Sequence, residues 1–222
     1  RVPGEPRAVR APIDNLLPEI NNVGVDFTDC QPALVAATVM NAFERPWCIA
    51  GGWAIDLWLG RLTRSHRDVQ VAILRQDQIA LRDFLSTWRF FVVTPRGMTP
   101  WRREDRQMLM LPVHELRAAD ARGRQLGFLL NECDSVDWLF GRDQRIRWPL
   151  DQWIITGAFG VPVLAPNIVL LYKSQAPRAW DELDLRSSLP ALAPELKDWL
   201  ADAIRLMRDD HPWLAALGGG SG

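Results

Sequence analysis

The chain has 222 residues, 48% of them hydrophobic, enough to bury one good core and a small second one. Its 26 basic and 27 acidic residues leave a formal net charge of -1, without the positive field of a nucleic-acid or anionic-membrane binder, so the expected partner is a small molecule. No apolar run approaches the roughly 20 residues of a membrane span, and the charged, Pro-rich first residues do not read as a signal peptide. Cys30, Cys48 and Cys133 have spacings that suit neither a disulfide framework nor a zinc site, and they are expected to be reduced thiols of a cytoplasmic protein.

Residues 1–31 are rich in Pro, Asn and charge without a sustained period and read as an N-terminal arm. Pro32 opens a helical run through Leu34, Val35, Thr38, Val39, Ala42 and Phe43 that ends before Pro46. A short strand is expected at Trp47 to Ala50, broken by Gly51-Gly52. A helix from Trp53 to Leu59 then closes at Gly60, a C-cap position. After a polar turn, Asp68 to Leu74 alternates as a strand, with Val69, Val71 and Ile73 on one face and Asp68, Gln70 and Ala72 on the other. Gln76 to Trp88 has helical period and Phe90 to Thr94 reads as a strand. Gln107 to Ala118 and Gln125 to Glu132 read as a hairpin-like pair.

From about residue 150 the pattern changes to helices: Pro166 to Ser174, Trp180 to Leu189 and Pro194 to Met207. The expected organisation is therefore an arm (1–31), an α/β domain (32–150), a helical C-terminal region (151–217) and a linker-like tail (218–222).

A strand ending in two glycines, a short helix and a strand opened by a carboxylate have a mechanical purpose together. The glycines let backbone approach a phosphate, and carboxylates on one strand face can hold a divalent cation against it. The run GGWAIDLWLGRLTRSHRDVQV, Gly51 to Val71, resembles the signature of the aminoglycoside 2''-nucleotidyltransferases. The matching residues are Gly51, Gly52, Trp53, Ala54, Ile55, Asp56, Gly60, Arg61, Thr63, Arg64, His66 and Asp68, without a gap. The stretch LAPNIVLLYKSQAPRAWDELD resembles the helical segment that follows the catalytic domain in relatives.

This resemblance implies a nucleotidyltransferase fold, a mixed sheet flanked by helices and followed by a small helical region. It also implies transfer of AMP from ATP to a hydroxyl of a small molecule such as an aminoglycoside, with Mg²⁺ as cofactor. Gly51, Gly52, Arg64, His66 and Lys173 would contact the nucleotide, and Asp68 would hold metal. A carboxylate on a later strand would act as general base.

The sequence departs from that pattern at two places. Gln70, a neutral single-oxygen ligand, stands where the second acid of Asp-x-Asp is expected, so Mg²⁺ affinity should fall. On the later strand, either Asn131 takes the third acidic position and the base is missing, or Glu132 supplies it; a one-residue slip decides which. The alternatives are a metal-independent enzyme with Asp68, His66 or Glu132 in acid-base roles, or a non-catalytic binding module. In both, neither Mg²⁺ nor ATP is required.

Asp56, inside a helix, reads as a structural hydrogen-bonding group. His114 and Glu115 occupy oppositely facing strand positions, so the two cannot share one cleft. Asp181, Glu182 and Asp184 read as a solvated helix face beside Arg178 and Arg186.

Overall fold

The structure, a computed structural model, describes residues 30–218. All but the last two residues of the expected arm, and all but the first of the expected tail, lie outside the described residues. Helix α1 (Gln31–Met40) has Pro32 in its first turn and leads to strand β1 (Trp47–Ala50). Helix α2 (Gly51–Leu59) starts directly at the glycine pair. It ends where Gly60, at φ 64, takes the left-handed conformation and donates its N–H to the Asp56 carbonyl.

Strand β2 (Gln70–Leu74) runs back antiparallel to β1, with Ala50 opposite Gln70. It starts two residues later than expected, so Asp68 stands on the approach to the strand. A one-turn helix (Arg75–Asp77) and α3 (Gln78–Phe84) follow, then β3 (Arg89–Thr94) and β4 (Gly97–Trp101) as a hairpin. Sequence periodicity misses β4 because Pro100 interrupts it; β4 lies at the sheet edge, where a missing N–H is tolerated.

The expected long strand Gln107 to Ala118 is realised only as β5 (Glu115–Ala119), Pro112 being unable to donate to a ladder. β6 (Gln125–Cys133) is the longest strand and pairs antiparallel with β5 and parallel with β2. Its far end continues into a small ladder with β7 (Asp137–Leu139) and β8 (Arg147–Pro149).

Helices take over only from Pro166. Before that, β9 (Ile154–Thr156) and β10 (Pro162–Leu164) join the main sheet, β10 lying parallel to β1. Three-residue strands are too short to carry a readable alternation. The order across the sheet is β4-β3-β5-β6-β2-β1-β10-β9, a mixed sheet with β6 and β2 at its centre. Helices α4 (Pro166–Ser174), α5 (Ala179–Ser188), α6 (Pro194–Met207) and α7 (Trp213–Ala216) complete the chain. Among the described residues no helix is long and apolar enough to cross a membrane.

Helix α2 buries five consecutive residues, Trp53 to Leu57, because it is covered on one side by β1 and β10 and on the other by α4 and α5. The core continues through Ile49, Val71, Ile73 and Phe128 of the sheet and Ile168 to Leu171 of α4. One buried polar joint fastens β6 to the helices. The Asn131 side-chain oxygen accepts hydrogen bonds from Trp138 Nε1 (2.9 Å) and the Tyr172 hydroxyl (3.0 Å), while its amide nitrogen donates to the Leu129 and Ile73 carbonyls.

Burial, reinforced by nearby Glu132, pushes the Tyr172 hydroxyl up, so it stays protonated and donates. Replacing Asn131 by Ala orphans both donors, and urea denaturation should show a loss of about 3 kcal/mol in folding free energy. A loss below about 1 kcal/mol would mean that water replaces the amide and the joint is not needed.

Candidate functional site

The candidate site begins at the glycine pair between β1 and α2. Gly51 has φ +64, and a β-carbon there would lie 2.5 Å from Gln70 Oε1. A β-carbon on Gly52 would overlap Arg64 Nη2 and the His66 imidazole. Gly52 is therefore required by close approach to a pinned guanidinium and an enclosed imidazole, and Gly51 by its left-handed backbone. The turn 60–69 folds back over the start of α2, which brings Arg64 and His66 against Gly52 and leaves Gln70 against Gly51.

What holds that turn is a set of buried carboxylates on α2 and α5. Asp56 accepts from the Thr63 backbone N–H (3.1 Å) and hydroxyl (2.5 Å) with one oxygen, and its other oxygen lies 2.5 Å from His66 Nε2. The imidazole is enclosed and packs tilted against Trp53, ring centroids 4.4 Å apart. Asp184 takes the Arg64 guanidinium in a two-pronged pair at 2.8 Å and 2.8 Å, and also meets Lys173 Nζ at 2.8 Å. Lys173 reaches Asp181 as well, at 2.7 Å, and Asp181 caps the start of α5 by accepting from the Arg178 backbone N–H.

Burial opposes the Arg64 charge, and Asp184 with Asp56 and Asp181 outweighs it, so Arg64 holds its proton more tightly than usual. The acidic face of α5 is thus turned inward at Asp181 and Asp184, where a solvated face was expected. The reason is that Lys173 and Arg64 arrive from α4 and the turn as partners. Arg64, His66 and Lys173 are brought to the cleft wall, each already engaged by a carboxylate.

The carboxylate positions differ more sharply from expectation. Across three adjacent strands Gln70 stands opposite Gly127 and Gly127 opposite Arg117, so the three share one face of the sheet. At the position of β6 next to Gln70 there is accordingly no side chain. Glu132, expected as general base, lies five positions along β6, roughly 16 Å at strand rise, and on the other face. There it pairs with Arg75. Asn131 is committed to Trp138 and Tyr172. Neither meets Asp68.

Sequence reasoning missed three residues: Gly127, Arg117 and Glu115. Arg117 Nη1 lies 2.9 Å from Asp68 Oδ2 and its Nε 2.8 Å from Glu115 Oε1. Asp68 is 47% exposed at its side chain and Arg117 30%, so this ion-paired trio reaches solvent. Burial pushes the Glu115 carboxyl up, Arg117 pulls it back, and Asp68 adds to the upward push. His114 does face away from Glu115, toward Gly141 and Glu132. The alternation of Glu115 and Arg117 was readable; their partner Asp68, on a distant segment, was not.

The fit to Mg²⁺ is poor. Asp68 is charge-compensated, Gln70 offers a neutral amide and Gly127 offers nothing, whereas Mg²⁺ seeks anionic oxygens in near-octahedral array. Among the described residues, no group of three or more His, Cys, Asp or Glu is arranged to hold a metal ion.

The inward-facing acids carry a stability prediction. Asp184→Asn leaves Arg64 and Lys173, at 16% and 10% side-chain exposure, without their shared carboxylate. Chemical denaturation should register a loss of about 3 kcal/mol or more. A change within about 0.5 kcal/mol would show that the cations simply turn to water.

Comparison with known proteins follows the same lines as this geometry. The sequence model described as aminoglycoside-2''-adenylyltransferase matches residues 34–125, less than half of the chain. No curated protein matches it. Solved structures that share its architecture include two of one resistance factor. The solution structure of the antibiotic-resistance factor ANT(2'')-Ia is 17% identical, with a TM-score of 0.52, covering 87% of this chain and 97% of the other. The crystal structure of ANT(2'')-Ia in complex with adenylyl-2''-tobramycin is 15% identical, with a TM-score of 0.53, covering 80% and 98%. At such identities the likeness is one of fold, and the chain is a nucleotidyltransferase-fold protein resembling the aminoglycoside 2''-adenylyltransferases.

Proposed function

We propose that this chain is a nucleotidyltransferase-like protein whose Gly51–Gly52 cleft takes a small polar molecule without the help of a divalent cation. The observation that carries this reading is the pairing of Gln70 with Gly127, which leaves Asp68 as the only acid of the expected metal set. A second consideration points the same way. Arg64, Lys173 and Arg117 are each neutralised by carboxylates of the chain itself, so a highly anionic triphosphate finds few free cations along this wall. In this reading Arg64, His66 and Lys173 hold the wall in shape, and Asp68 and Glu115 are the acids that face a ligand.

A second reading keeps the transfer of AMP from ATP to a hydroxyl of an aminoglycoside-like molecule. It is favoured by the likeness of residues 34–125 to the adenylyltransferase model. It requires Arg117 to withdraw so that Asp68 and Glu115 can take up Mg²⁺.

Titration calorimetry with ATP in Mg²⁺ and in chelator, together with an assay for labelled AMP on tobramycin, separates the two. The first reading expects no Mg²⁺-dependent ATP affinity and no adenylylated product. It also expects that any polar compound raising the melting temperature does so equally in chelator. Mg²⁺-dependent transfer that disappears in Asp68→Asn would overturn it in favour of the second.

A further inference from the structure

The trio Asp68, Arg117 and Glu115 has a geometry that its sequence neighbours alone do not explain. Adjacent strands are about 4.8 Å apart, so an arginine on β5 reaches the approach to β2 only by lying across β6. It crosses at Gly127, where a β-carbon would come within 3.4 Å of Arg117 Nη1 and 3.4 Å of Gln70 Cγ. A larger residue at 127 would contest that space. The missing side chain on β6 and the long cationic side chain on β5 are thus complementary, and the guanidinium ends between two carboxylates at 2.8 Å and 2.9 Å.

Two carboxylates that converge from different strands repel unless a cation lies between them. In a metal-dependent site that cation is the ion; in this cleft the chain supplies it. A guanidinium lying at ion-pair distance from both acids compensates their charge from within the chain.

We propose that Arg117 is the resident cation of the cleft, holding Asp68 and Glu115 together across Gly127 and excluding divalent cations from the place between them. The inference rests on the cation-independent reading of the cleft and adds the residue responsible for it. Gln70 and Gly127 then form one arrangement with Arg117, since an acid at either position would compete with Asp68 and Glu115 for the guanidinium.

The test is binding of Mn²⁺, followed by electron paramagnetic resonance, which needs neither substrate nor activity. The wild type should bind Mn²⁺ no better than a chain carrying Asp68→Asn. Arg117→Met keeps the aliphatic stem over Gly127 and removes the charge. It should raise Mn²⁺ affinity by about tenfold or more, because two released carboxylates form a hard-oxygen donor pair. Adding Asp68→Asn to it should abolish the gain, and Arg117→Lys should not show it.

If Arg117→Met does not fold, Gln70→Asp serves instead: with Arg117 present it should gain no Mn²⁺ site despite its extra acid. A folded Arg117→Met chain without the gain, or a Gln70→Asp chain that binds tightly, overturns the role of Arg117 and leaves the cation-independent reading standing. Asp68-dependent Mn²⁺ binding by the wild type removes both.

Discussion

Asp184 has no exposed surface, and a carboxylate so placed has to be paired. Its partners come from two directions, Arg64 from the turn before β2 and Lys173 from α4. That one requirement joins the sheet's central loop to the C-terminal helices. With Arg64 fixed, the turn presses on Gly52, and the glycine pair can be replaced by no larger residue without moving it. Asp56 repeats the device on α2, holding Thr63 and His66 from beneath the same turn. The position of Gln70 beside Gly51, and of Asp68 just before it, follows from a loop pinned at both places by buried acids.

Strand register then determines what the cleft contains. Because β2 and β6 are parallel with Gln70 opposite Gly127, a carboxylate at Glu132 is out of reach whatever rotamer it adopts. Because β5 is antiparallel to β6 with Arg117 opposite the same glycine, a guanidinium enters from the far side. The cleft keeps the frame of a nucleotidyltransferase and receives a different set of charges. Fold and chemistry are separable here, as sites are generally separable from the scaffolds that carry them.

The sequence was most legible where the determinants are local. Gly51-Gly52, Gly60 and Asp68 lie in one ungapped run, and their turn and cap chemistry can be read directly; Pro166 and Pro194 mark the starts of α4 and α6 in the same way. The sheet edges were hidden by Pro100 in β4 and by the three-residue length of β7 to β10. The acids of α5 were misread because Asp181 and Asp184 look solvated when only their helix neighbours are considered. Lys173 and Arg64, which bury them, are 8 and 120 residues away in sequence. The register of β6 fell between Asn131 and Glu132 in the sequence reading, and both were displaced by Gly127. A residue without a side chain gives no sign of being the important member of a strand.

The same comparison says where the specificity of such a cleft resides. An ion-binding site is defined by several acids acting together, and an amide at Gln70 with no side chain at Gly127 offers a poor set for one. Without a cation between them Asp68 and Glu115 would face one another uncompensated, and a basic side chain able to span the gap lowers the energy of the folded state. Glycine at 127 leaves the gap open, Arg117 spans it, and Gln70 adds no charge that would compete for the guanidinium. In the proposed arrangement the three positions depend on one another, although β2 is separated by a long stretch of chain from the hairpin of β5 and β6.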